Sequence, residues 1–309
     1  VTDFNNGLSS YGFPLVGSGP YITTGKVWFV HGPQGTGIGV DANGRGTNAK
    51  RPFATIEYAL GKAQASKGDI IFVMPGHVET ISAAGGVTVD VAGVSIIGLG
   101  RGSNRPQINF TATAATMPVS AAGVHLENLR FTNGIDEVVN ALPITGDDVT
   151  LLNCQYRDVT GIGVNPILAT GADRLKIIGL EYLGDRSADS NDAAIQLAGC
   201  VGVQIAHSHI SVRAATAAIE CITTLSSQVY IHDCTIDLGT DGSNVAILDT
   251  ITGSLGIMGP NLMLSLVDDG ANVTEAITGA TFRVVDPVYV VNAANQKGLL
   301  INWTPVADS

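Results

Sequence analysis

The sequence predicts an all-β chain folded as a right-handed parallel β-helix, and three observations carry that expectation. A segment of strand-like residues recurs at near-constant spacing. Val, Ile, Thr and Ala fill the runs between 38 glycines in a chain of 309 residues, which suits short strands joined by tight turns. No helical run long enough to serve as a crossover fits between copies, which removes a doubly wound α/β sheet.

The repeat is clearest in "VHLENLRF" (124–131), "VTLLNCQY" (149–156), "LKIIGLEY" (175–182), "VQIAHSHI" (203–210) and "VYIHDCTI" (229–236). Each has aliphatic residues at its first and third positions. The fifth is a bend-former or polar residue (Asn128, Asn153, Gly179, His207, Asp233), and the eighth is apolar (Phe131, Tyr156, Tyr182, Ile210, Ile236). With the looser copies, first positions fall at 70, 94, 124, 149, 175, 203, 229, 255 and 282, separated by 24, 30, 25, 26, 28, 26, 26 and 27 residues. A weaker series lies upstream of the central copies: "MPVSAA" (117–122), "LPITGD" (142–147), "ILATGA" (167–172), "IQLAGC" (195–200) and "IECITT" (219–224). Each copy therefore carries at least two strands and makes one lap of a coil, hydrogen-bonded to the laps above and below. At about 4.8 Å per lap, nine laps give a rod on the order of 40 Å long.

In that coil Val149 and Leu151 point inward and Asn153 makes the bend. Cys154 and Cys234 share the sixth position but lie three laps apart, about 14 Å, beyond disulfide reach. The four cysteines (Cys154, Cys200, Cys221, Cys234) have no CxxC spacing and are expected to be free, buried thiols.

The ends of a coil expose unpaired strand edges that need covering. "RPFATIEYALGKAQASKGD" (51–69) places Phe53, Ile56, Ala59, Leu60 and Ala63 at helical spacing, so a capping helix near 52–66 is expected at the N-terminal end. Residues 1–25 are read as an arm beaded with Phe4, Tyr11, Phe13, Leu15 and Tyr21. The β-helix spans 26–292, and 293–309 form a tail carrying Leu299, Leu300, Ile301 and Trp303. Both termini are expected to be contact segments.

A net charge of -11 with scattered basic residues argues against nucleic acid as a partner, and no export or membrane-spanning segment is expected. The best carboxylate cluster, Asp185, Arg186, Asp189 and Asp192 in "GDRSADSND", is what a solvated turn collects; Asp147–Asp148 and Asp268–Asp269 are turn signals of the same sort. His207 sits at a bend and His209 points outward, so the two side chains should diverge. No catalytic, cofactor-binding or metal site is expected, and the chain is expected not to be an enzyme. One outward column is more telling: Glu127, Leu152, Ile178, Ala206 and His232, beside His125, Thr150, Lys176, Gln204 and Tyr230. Three consecutive laps expose apolar groups there, which predicts a subunit interface including Leu152, Ile178 and Tyr230, with a cyclic homotrimer as the assembly. Phe4, Tyr11, Phe13, Leu300 and Trp303 are the expected contacts of the two terminal segments.

"PFATIEYAL", "GDIIFVMPGHVETI" and "VAGVSIIGLGRGSNRPQINF" resemble the N-terminal half of tailed-bacteriophage virion proteins with pectin-lyase-like β-helices. The likeness runs over most of the chain and is strongest over residues 50–110. It implies a structural virion protein, a trimeric decoration or cement protein on the capsid surface whose arms grip the major capsid protein of the shell. The alternative it implies is a tail-spike or fibre protein that binds, with or without cleavage, a host surface polysaccharide.

Overall fold

The computed structural model describes residues 9–10, 13–14, 23–32, 38–158, 163–184, 191–212, 214–238, 245–251, 253–266, 277–278, 282–285, 288–292 and 297–300. The chain is a parallel β-solenoid with three faces. The first sheet stacks ten strands, from Val27–Val30 and Ile70–Val73 through Ser95–Gly98, His125–Glu127, Thr150–Leu152, Lys176–Ile178, Gln204–Ala206 and Val229–His232 to Gly256–Met258 and Arg283–Val284. The second runs from Val78–Ile81 and Gln107–Phe110 through Arg130–Asn133, Gln155–Asp158, Glu181–Leu183, His209–Ser211 and Thr235–Asp237 to Leu262–Leu266 and Val288–Asn292. The third comprises Leu142–Ile144, Ile167–Thr170, Asn191–Ala198, Ala214–Cys221, Val245–Asp249 and Ile277–Thr278, which is where the weaker sequence series lies.

The eight-residue template is two strands hinged at its fifth position. Asn128, Asn153, His207, Asp233 and Asn261 all take φ between 51° and 56° there, and Gly179 takes 67°. Asn and Asp tolerate this left-handed conformation better than other side chains, and glycine tolerates it freely, so the composition of the column follows from its backbone. A second left-handed column precedes the template: Gly93, Gly123, Asp148, Arg174, Gly202 and Gln228. At that corner Arg174 clasps Asp148 in a two-point ion pair, with Nε–Oδ1 at 2.6 Å.

Alternation does the rest. The third template position of the first sheet supplies a fully buried row, Ile71, Ile96, Leu126, Leu151, Ile177, Ile205, Ile231 and Met258, in register from lap to lap. The eighth supplies Phe131, Tyr156, Tyr182, Ile210 and Ile236 from the second sheet. Each such aliphatic side chain contributes roughly 1.5–3 kcal/mol by leaving water. Val149 and Leu151 point inward, and all four cysteines are free and buried.

Two laps start one residue away from the expected register. Ile70 pairs with Ser95, so the first position of that lap is Asp69, and Tyr230 pairs with Ile257, so that of a later lap is Gly256. Asp69 is buried and its carboxylate accepts from Lys26 N, Trp28 Nε1 and Gln64 N, which lets a charge occupy an aliphatic site. A methyl added at Gly256 would lie 2.3 Å from Phe282 Cε1; the ring of Phe282 fills the space that an aliphatic residue fills elsewhere.

The N-terminal helix spans only Ile56–Leu60, shorter than the expected 52–66. Thr55 caps its start by accepting from Tyr58 N, and Asp41 in turn holds Thr55. Beyond Leu60 the chain must return to pair Ile70–Val73 with Val27–Val30, and Ser66 N donates to Ala92 O at a corner of the next lap. Ile56, Ala59 and Leu60 are buried against Trp28 and Phe53, and Glu57 Oε2 accepts from Thr88 N beside the third face. A buried relay closes the same end: Gly32 N donates to His77 Nδ1, leaving Nε2–H for Glu79 Oε2, which also accepts from Ile56 N. At the other end Lys297–Leu300 folds back antiparallel on Val288–Asn292, so part of the expected tail is a sheet strand.

Candidate binding groove

Where the first sheet turns into the second, the outward column begins earlier than the five residues expected of it. Phe29 pairs with Phe72, Phe72 with Ile97, Ile97 with Glu127, and Glu127 with Leu152. Strand alternation that sends Trp28 and Ile71 inward sends Phe29 and Phe72 out, with ring centroids 5.8 Å apart. Across the left-handed bend, the second sheet presents its own outward column, Gln107, Arg130, Gln155, Glu181 and His209.

Between these columns lies a groove of about 780 Å³, lined by Phe29, Phe72, Ile97, Leu99, Arg101, Arg105, Glu127, Asn128, Asn153 and Glu181 among others. Its wall is the 99–105 segment, which contains the short 3-10 turn Gly102–Asn104. Asn128 Nδ2 donates to Gly98 O (2.7 Å) and Gly100 O (3.0 Å), and an Arg130 terminal nitrogen donates to Gly102 O (2.7 Å). Arg130 Nε donates to Gln155 Oε1 and Gln155 Nε2 to Glu181 Oε2, both at 2.6 Å, so a polar ladder runs along the axis behind the groove. Burial, and then the charges of Arg157 and Arg105, hold Arg130 below the ordinary arginine range, with Glu181 acting against them. Glu127 pairs with His125 at 3.1 Å.

Of the residues expected at an interface, Leu152 and Ile178 point outward and are half-buried, and Tyr230 lies in the neighbouring outward column. Ala206, expected to be exposed, is 1% exposed, because its methyl lies below the larger side chains of Ile178 and His232 on the flanking laps. The ring of Tyr230 stacks on His232 at 4.1 Å. His232 Nδ1 meets Asp233 Oδ2 at 2.6 Å and its Nε2 faces Gln204, while His207 turns its ring edge to His232 and His209 stands exposed on the second sheet. Phe13 and Leu300 fall in backbone-paired strands, and Phe4, Tyr11 and Trp303 lie outside the described residues. Asp185, Arg186, Asp189, Asp268 and Asp269 also lie outside them; Asp192 is exposed and four residues from Gln196, the partner of Glu220. Among the described residues no group of three or more His, Cys, Asp or Glu could hold a metal ion, and no helix is long and apolar enough to cross a membrane.

The groove is not visible in the sequence because its lining residues, from Phe29 to Glu181, are spread over successive laps and meet only by stacking. Reading the seventh template position as a column (Arg130, Gln155, Glu181, His209) would have found one wall.

No family model and no curated protein matches this chain. Among solved structures it is similar to a chain described as "Crystal structure of pectate lyase Pel9A", at 13% identity and a TM-score of 0.40, over 88% of this chain and 78% of that one. That neighbour is an enzyme, which overturns the expectation that this chain is not one; at such a distance the likeness assigns this chain no reaction of its own.

Proposed function

We propose that this chain is a structural attachment protein of a tailed-phage particle, a decoration or cement component that assembles as a homotrimer on the capsid surface and contacts the major capsid protein. What supports it is the outward apolar column of the first sheet, where Leu152 and Ile178 stand half-buried on adjacent laps in a solenoid whose other described outward columns are largely polar. Association would bury that column, and terminal segments gripping the shell would add avidity by linking several weak contacts. Cryo-electron microscopy of the phage particle that carries the chain is the test. Three-fold density on the shell upholds the assignment, and density at the tail removes it.

A second reading is favoured by the groove: a spike or fibre that binds a host surface polysaccharide. Two outward phenylalanines offer flat apolar faces for sugar rings, and Asn153, Glu127 and Arg101 offer hydrogen bonds to hydroxyls. Binding of host envelope polysaccharide by the purified chain, lost in Phe72→Ala, tests it.

A further inference from the structure

We propose that Asn43 is a self-modifying site: the backbone nitrogen of Gly44 attacks its side-chain amide, which is lost as ammonia, leaving aspartate or isoaspartate in the loop that holds the N-terminal helix. The attachment and polysaccharide readings are independent of it.

Access to the nucleophile is the first ground. The chain has three Asn-Gly pairs, at Asn6, Asn43 and Asn133, and the first lies outside the described residues. Glycine after asparagine leaves the approach of its nitrogen to the side-chain carbon unhindered, because it has no Cβ. Asn43 and Gly44 are exposed at the centre of a turn, with Gly44 at φ 78° and nothing within 4 Å of where a Cβ would lie. Gly44 N donates to no acceptor among the described residues, so no bond holds it back. Asn133 is the opposite case. It is fully buried, its Nδ2 donates to Asp158 Oδ1 (2.6 Å), its Oδ1 accepts from the Tyr156 hydroxyl (2.5 Å), and Gly134 N donates to Phe110 O (2.7 Å). There both the amide and the nitrogen that would attack it are locked.

Activation of the amide is the second. Lys62 Nζ donates to Asn43 Oδ1 at 3.2 Å and sits over the Tyr58 ring, 4.8 Å from its centroid. Attack places negative charge on that oxygen, and the ammonium stabilises it as it develops. Gly44 N gives its proton to water and bonds to Asn43 Cγ; the Cγ–Nδ2 bond breaks, and Nδ2 takes a proton and leaves as ammonia. Water then opens the cyclic imide, at Cγ to give aspartate or at the main-chain carbonyl to give isoaspartate. Water is the one co-reactant.

The reaction acts on the helix through the loop's two fixed points. Before the pair, Asp41 accepts from Ala54 N and from Thr55 N and Oγ1; after it, Gly46 accepts from Phe29 N and donates to Arg51 O. An isoaspartyl link inserts a methylene into the main chain between these points, so the loop must buckle and the hold of Asp41 on Thr55 weakens. Thr55 caps the helix Ile56–Leu60, and a lost cap lowers stability.

The test is peptide mapping by mass spectrometry of the full chain held for weeks at pH 8, folded and in 6 M urea. Expected is a deamidated fraction at Asn43 that grows in the folded chain while Asn133 stays amidated, with both reacting in urea. Lys62→Met should slow Asn43 by at least about threefold, short of the roughly hundredfold of a buried oxyanion donor because this ammonium is exposed. Circular dichroism checks that the variant is folded. The isoaspartyl fraction, separated by chromatography, should melt below the unreacted chain. Asn43 reacting no faster than Asn133 in the folded chain would overturn the proposal. Reaction of Lys62→Met at the parent's rate would overturn the part given to Lys62, and an isoaspartyl fraction that melts with the unreacted chain would overturn the link to the helix.

Discussion

Tyr156 and Tyr182 lie face to face on adjacent laps inside the solenoid, ring centroids 5.1 Å apart and planes within 4° of parallel. The lap spacing imposes that geometry, because residues in register in stacked parallel strands sit about 4.8 Å apart. The Tyr156 hydroxyl donates to Asn133 Oδ1 at 2.5 Å, and burial raises its pKa well above the usual phenol value. Tyr156→Phe keeps the stack but removes a donor from a buried acceptor, and should lower stability by about 1–3 kcal/mol. Tyr156→Ala also opens a cavity and should cost about 3–5 kcal/mol. Urea denaturation followed by circular dichroism measures both, and equal losses would mean that the ring contributes nothing.

The left-handed bend makes a second prediction. Asn153 sits at φ 51° and is followed in its column by Gly179. Asn153→Gly should be near neutral, since glycine adopts this φ freely, whereas Asn153→Val should cost at least about 1–2 kcal/mol from the clash between Cβ and backbone. Thr150→Val, an outward strand position on the same lap, serves as the control. If Asn153→Val matched Asn153→Gly in denaturation midpoint, the backbone would not be what selects residues in this column.

These bends explain why so much of the fold was legible. Aliphatic first and third positions and a bend at the fifth follow directly from alternation and from a left-handed φ, so the pattern appears wherever the core is filled in the ordinary way. It failed where the core is filled otherwise. Asp69 is a buried carboxylate satisfied by three donors, and Gly256 is vacated for a ring arriving 26 residues later, so a search for aliphatic residues slid by one in both laps. The helix was overextended because helical spacing continues to Ala63, while the pairing of Ile70–Val73 with the first strand draws the chain away at Gly61. For the site, the apolar column at Leu152 and Ile178 was readable from one period, but the groove needs the register between distant laps as well as the loop that walls it.

The cysteines make a third prediction. Burial pushes the Cys221 thiol up to about 12 and those of Cys154 and Cys234 up to about 11, and raises Cys200 as well. Attack on a disulfide reagent requires the thiolate, so at pH 8 almost none of the reactive form is present. Native protein treated with Ellman's reagent should release no rapid thionitrobenzoate, and four equivalents should follow in 6 M urea. A fast equivalent from folded protein would place one thiol at the surface.

Glu220 makes the last. It faces outward from the third sheet yet is 5% exposed, and Gln196 Nε2 donates to its Oε2 at 2.8 Å. Burial, with the charge of Asp192 acting the same way, raises its pKa above the ordinary carboxyl value against the opposing hydrogen bond from Gln196. A carboxyl that holds its proton more tightly when folded makes stability fall as pH rises from the unfolded value, about 4.3, through the folded one; above the folded value the loss is complete. Glu220→Gln keeps an oxygen for Gln196 and carries no charge to bury. The variant should therefore be more stable than the parent at pH 7, with the gap closing below about pH 4, where the parent glutamate is itself protonated. Thermal denaturation of both proteins across pH 3.5–8 reads the gap directly, and parallel curves would show that burial of this carboxylate carries no electrostatic cost.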